Sequence, residues 1–161
     1  MSETHWLTDE EQRVWRLFIA VARKLNAHLD HQLRTTSGIP ATYYEILVHL
    51  SEAPDRSLRM AAIADKCFSA RGKVSHAVAK LEKSGYVLRT ASDSDGRGFV
   101  ATLTDYGLAA LHEAAARHVE EVRQYVFDPL TQEQQKALEG ISATMLEMLV
   151  PACRLASAKD L

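Results

Sequence analysis

Apolar residues recur at helical spacing over most of this chain, and one short interval of strand-forming residues interrupts them. Thr8-Asp-Glu-Glu11 is a capping box, and from it Val14, Phe18, Val21, Ala22, Leu25 and Leu29 repeat on one face of a helix. Turn chemistry first appears at Ser37-Gly-Ile-Pro40. The spacing therefore predicts a helix of about 25 residues, twice the ordinary length, which needs something outside its own subunit to pack on. Thr42-Tyr-Tyr-Glu45 reads as a second capping box, opening a short helix with Ile46, Leu47 and Leu50 before Pro54. A further short helix is predicted over Met60–Cys67, where Ala61, Ile63, Ala64 and Cys67 offer small or apolar packing surfaces.

The stretch from Ser69 to Gly85 has two faces of different chemistry. Val74, Val78 and Leu81 fall at i, i+4 and i+7 with Ala77 beside them, a side built to be buried. Arg71, Lys73, Ser75, His76 and Lys80 point elsewhere, and they are donor-rich side chains of the kind that reach phosphates and base edges. Ser69 can cap the start and Gly85 can stop the helix, which spans about four turns. Taken alone, such a helix is more often a solvated surface element than a groove reader.

The strand-forming segment after Gly85 changes that balance. Tyr86–Thr90 and Phe99–Leu103 are rich in strand formers, and Ala-Ser-Asp-Ser-Asp-Gly-Arg-Gly98 between them is turn chemistry, so the segment predicts a hairpin. Helix, turn, helix and hairpin in that order describe a winged helix-turn-helix, whose second helix enters the major groove. Beyond the hairpin, Thr104 can cap a helix to about Phe127 bearing Leu108, Leu111, Ala115, Val119, Val122 and Val126. Asp128-Pro129 breaks it. Thr131-Gln-Glu-Gln134 opens a last helix with Leu138, Ile141, Met145, Met148 and Leu149. The fold class is thus mainly α with a small β-hairpin wing, and the striped helices at both ends carry surplus apolar surface that favours a homodimer over burial within a monomer.

Several segments resemble the MarR (multiple antibiotic resistance regulator) family of winged helix-turn-helix transcription factors. They are Leu-Ser-Glu-Ala-Pro54, Leu58-Arg-Met-Ala-Ala-Ile-Ala-Asp65, Val74-Ser, Leu81-Glu-Lys-Ser-Gly-Tyr-Val87, Asp93-Ser-Asp-Gly-Arg97 and Leu103-Thr-Asp-Tyr-Gly107. The wing pattern running into Leu-Thr-x-x-Gly is the specific part. Ala70 and His76 depart from the serine and arginine frequent at those places in the family. The resemblance implies residues 1–161 as a single MarR-like domain, with 8–36 and 104–158 as dimerisation helices interleaved between subunits and 42–103 as the DNA-binding lobe. It implies a repressor on a pseudo-palindromic operator, and a pocket where Trp6, Trp15, Tyr43 and Tyr44 line a site for a small aromatic or phenolic effector.

On this reading Arg71 meets a guanine edge, Lys73 and Ser75 meet bases or phosphates, Gly72 permits close backbone approach, and His76 lies in the same groove. Lys80, Lys83 and Arg89 hold the DNA backbone. Arg97, with Asp95 in the same turn, reaches the minor groove from the wing, since a narrow A·T-rich groove attracts arginine. The runner-up is a winged-helix protein–protein interaction module whose basic face meets an acidic partner.

Charge supports the placement. The whole chain of 161 residues carries −2, yet residues 54–100 hold nine Lys/Arg against five Asp/Glu, a net +4, leaving −6 elsewhere. A composition 47% hydrophobic and 25% charged is ordinary for a globular domain. The polar start Met-Ser-Glu-Thr-His and the lack of any long apolar run predict a cytoplasmic protein with no membrane partner. Cys67 and Cys153 form no C-x-x-C and no metal spacing. Cys67 lies just before the reading helix, where oxidation would disturb DNA binding, a redox-switch reading set against that of a small buried hydrophobe. His28 and His31 with Asp30 suggest metal ligands without a nameable full set, so neither metal nor cofactor is expected. No G-x-S-x-G, phosphate loop or H-E-x-x-H appears, which argues against an enzyme.

Overall fold

A computed structural model describes residues 4–91 and 98–150 of the chain. Helix α1 covers Asp9–Ser37, 29 residues, and starts as its capping box dictates: the Thr8 hydroxyl accepts from the Glu11 N–H at 3.2 Å and the Glu11 carboxylate accepts from the Thr8 N–H at 2.7 Å. It ends at Gly38, whose φ of 72° is the left-handed conformation that releases a helix.

Helix α2, Ala41–Glu52, does not use the expected cap. It begins one residue before Thr42, with Pro40 at the cap position and no side-chain cap of its own. The Asp30 carboxylate of α1 accepts from the Ala41 N–H at 2.9 Å instead, and binds Arg34 at 2.6 Å. The capping group thus comes from 11 residues upstream, beyond the reach of a local pattern. Asp30 is occupied there, and the Arg34 guanidinium holds its carboxyl below the usual range.

Strand β1, Ser57–Arg59, is absent from the sequence expectation; three residues after a proline carry no periodicity to read. It completes a three-stranded antiparallel sheet in the order β1-β3-β2, with β2 at Val87–Ala91 and β3 at Phe99–Leu103. Leu58 pairs with Ala101 and Arg89 with Ala101 on the other side of β3, so the predicted hairpin forms around a central strand. The lead into β1 is strained, with Asp55 and Arg56 both at φ of 52°, and Arg56 pairs with Asp105 at 2.8 Å.

Helices α3, Met60–Lys66, and α4, Arg71–Lys83, pack together beneath α2. The core gathers Leu33 from α1, Ile46, Leu47 and Leu50 from α2, Ile63 and Ala64 from α3, Val74, Val78 and Leu81 from α4, Val87, Ala101 and Leu103 from the sheet, and Leu111 and Ala114 from the helix that follows it. Helix α5, Asp105–Val122, starts where the Thr104 hydroxyl accepts from the Gly107 N–H, then passes through a π-helical turn at Arg123–Phe127. Gly107 has no room for a side chain, because a Cβ there would run into the Tyr86 carbonyl. That contact is the physical content of the Leu-Thr-x-x-Gly pattern. Helix α6, Gln132–Leu149, opens with the Thr131–Gln134 capping box and buries none of its residues.

Candidate nucleic-acid interface

Helix α4 takes its orientation from its apolar side. Val74, Ala77, Val78 and Leu81 are buried, which leaves Gly72, Ser75, His76, Lys80 and Lys83 exposed, with Arg71 and Lys73 at the exposed first turn. Gly72, His76 and Lys83, at i, i+4 and i+11, lie opposite the buried stripe. No acidic residue sits in the first turn. The start differs from expectation: Ala70 occupies the cap position without a side-chain bond, while Ser69 donates its N–H to the Ala64 carbonyl at 2.9 Å and closes the preceding turn. Phe68, with φ of 45°, shapes that turn. The first turn is thus left without a side-chain cap, with the exposed Arg71 and Lys73 on it.

Arg89 is engaged within the lobe. Its Nε donates to Glu82 at 2.7 Å and its guanidinium lies 5.9 Å from the Phe99 ring centroid. The same arginine holds the Glu82 carboxyl below its ordinary range. Asp95 and Arg97, the expected wing contacts, lie outside the described residues.

Lys80 and Lys83 also line a cleft of about 390 Å³ with Gly38, Pro40, Tyr43 and Tyr86. Of the four aromatics expected around one pocket, Tyr43 alone is there. Tyr44 packs at a tilt against His118 with centroids 4.7 Å apart, Trp15 lies 6.3 Å from Phe18 on the exposed face of α1, and Trp6 is exposed before it. Sequence reasoning misses Tyr86, which reads there only as a strand former. His28 pairs with the buried Glu121 at 2.7 Å, and Arg117 binds the same carboxylate at 3.0 Å, so His28 closes an α1–α5 contact while His31 stays exposed. Burial first, and the charge of Glu45 second, push the Cys67 thiol up to about 12. The thiolate that oxidation needs is thereby suppressed.

The exposed, basic α4 on a three-stranded winged lobe is matched by proteins of known class. A family model described as MarR family matches residues 37–98. The chain is 49% identical to Sco3205, a MarR family transcriptional regulator from Streptomyces coelicolor solved in complex with DNA; the match covers 94% of this chain and 95% of that one with a TM-score of 0.91. The chain belongs to the MarR family. AbsC, a second MarR family transcriptional regulator from the same organism, is 36% identical, with 88% of this chain and 98% of that one covered and a TM-score of 0.80. The HTH-type transcriptional regulator MhqR of Bacillus subtilis is 25% identical over 120 residues, 74% of this chain and 81% of its own length. The MarR fold accordingly accounts for the long α1, the striped α6 and the wing. No helix among the described residues is long and apolar enough to cross a membrane.

Proposed function

We propose that this MarR family regulator binds double-stranded DNA sequence-specifically as a homodimer on a pseudo-palindromic operator, and that it acts as a cytoplasmic repressor. The observation that carries the reading is the solvent-facing polar side of α4, opposite a buried stripe and free of acidic residues at its start. Arg71, Lys73, Ser75 and His76 enter the major groove, Gly72 lets the backbone approach, and the N–H groups of the first turn meet phosphate. Lys80 and Lys83 hold the DNA backbone. Arg97 and Asp95 take the wing's part at the minor groove, and Arg89 steadies the wing through Glu82 in place of a phosphate contact of its own.

The dimer is supported by apolar faces with no cover in a single chain: Val14, Trp15, Phe18 and Val21 on α1, and Ile141, Met145 and Leu149 on α6. In it, residues 8–36 and 104–158 supply the dimer contacts and 42–103 the reading lobe. An aromatic or phenolic acid in the cleft of Tyr43 and Tyr86 would draw the ammonium groups of Lys80 and Lys83 away from phosphate, which gives a route to release.

The test compares two variants on an operator selected from random duplex. Arg71→Ala should cost about 1 to 3 kcal/mol on the selected site and much less on random duplex, since only the specific complex contains the lost pair. Lys80→Ala should weaken both complexes alike and flatten the salt dependence by about one unit of slope per contact removed. Equal losses on both duplexes for both variants would remove α4 from the role of reader.

A further inference from the structure

Three side chains of different chemistry converge behind the reading helix. Glu45 and His49 lie one turn apart on α2, and Cys67 is the residue that ends α3. A carboxylate oxygen of Glu45, a ring nitrogen of His49 and the Cys67 sulfur all lie within 4.8 Å of one another. Nothing in the spacing of the sequence announces this, because α3 has to fold under α2 to bring residue 67 beside residues 45 and 49. His49 supplies the independent sign. It is 7% exposed, and its Nε2 is buried with no hydrogen-bond partner. That nitrogen lies beside the carboxylate and the thiol with its hydrogen-bonding capacity unmet, a condition that a bound ligand would relieve.

We propose that Glu45, His49 and Cys67 bind one divalent cation of the zinc class. A sulfur, an imidazole nitrogen and a carboxylate oxygen form the mixed donor set that prefers zinc, cobalt or nickel over magnesium and calcium, which favour oxygen alone. Cys67 gives up its proton to solvent on binding, and thiolate plus carboxylate offset the charge of the cation, which the nearby Lys66 ammonium opposes. Bond lengths of about 2.0 to 2.3 Å place tetrahedral ligand atoms roughly 3.3 to 3.8 Å apart, so the three close by about 1 Å around the ion. Glu45 can move that far, because it is exposed at the rim, where the ion would also enter. A fourth position remains for water. The bound ion would tie α2 to the turn Cys67-Phe68-Ser69 from which α4 begins.

The experiment titrates the metal-free full-length chain with cobalt(II), then with zinc(II) as competitor, without DNA. One equivalent should bind per chain and produce the near-ultraviolet band of thiolate-to-cobalt charge transfer, and zinc should abolish it. Cys67→Ser should lose the band, while Cys153→Ser keeps it. Glu45→Gln, a surface change that leaves the core intact, and His49→Gln should each weaken binding more than about ten-fold, the loss that even an outer partner of a metal site produces. No band in the unsubstituted protein, a band that survives in Cys67→Ser, or unchanged affinity in Glu45→Gln would overturn the proposal. The readout involves no duplex, so its failure would leave the DNA reading standing, and failure of DNA binding would leave the metal site standing.

Discussion

Two regions of this chain carry apolar helical stripes and meet opposite ends. In the winged lobe, Leu47, Leu50, Val78 and Val87 are completely buried. Along the first turns of α1, Val14, Trp15 and Val21 remain 63%, 53% and 63% exposed, and on α6 Ile141 is 57% exposed. Helical periodicity reports that a face is apolar, but it does not report whose surface covers that face. In the lobe the cover is intramolecular, because short loops return α2, α3, α4 and the sheet onto one centre. At the ends the helices outrun that centre, and in the proposed dimer a second copy supplies the other half.

Truncation should separate the two regions. Leu47→Ala, at the middle of the lobe core, should destabilise the chain by about 2 to 5 kcal/mol through lost burial and a residual cavity. Urea unfolding should show this at every protein concentration. Val14→Ser should leave the lobe intact and weaken the dimer instead. Burying one valine is worth about 1.5 kcal/mol, and two-fold symmetry counts it twice, so dissociation should strengthen by about 3 kcal/mol, or roughly a hundred-fold. Sedimentation across a concentration series reads that effect. If Val14→Ser shifts only the unfolding of a species that is monomeric throughout, the stripe on α1 is not a dimer surface.

The same contrast decides what is legible in the sequence. Helix existence, the buried side of α4, the hairpin and two of the three capping boxes follow from residues within a few positions of one another, and all stand in the structure. Features that depend on distant partners leave no local mark. Asp30 caps α2 across the α1–α2 turn, and β1 exists only because β3 offers it an edge. Tyr86 lines the cleft where the chain turns at Gly85 beyond the end of α4, and Glu45, His49 and Cys67 meet only after α3 has docked. Arg71, Lys73, Ser75 and His76 are legible as outward-facing because their place follows from the stripe opposite. Arg89 reads as free in the sequence because Glu82 precedes it by seven residues and lies in a different element, and their pairing requires β2 to fold back along α4.

The smallest expected effect lies at the seam between the two regions, where His118 of α5 packs against Tyr44 of α2. The His118 Nδ1 is buried without a partner, and burial lowers the pKa of the ring from its ordinary 6.5. Below pH 6.5 the unfolded chain therefore takes up a proton at this residue while the folded chain does not, so protonation favours unfolding. Stability should be level above neutrality and should fall as the pH drops from 6.5 toward the lowered folded value. His49, buried in the lobe and likewise lowered by burial, pulls in the same direction. His118→Gln keeps a polar side chain of similar reach but cannot titrate, so its urea midpoint should decline less steeply between neutral and mildly acidic pH than that of the unsubstituted chain. His49 contributes to the decline that remains, and Glu45, whose carboxyl burial pushes up, opposes it. Both proteins need to be compared at one concentration, because dimer formation would otherwise move the midpoints by mass action. Parallel pH profiles for the two would mean that the α2–α5 seam opens readily enough for His118 to titrate in the folded chain.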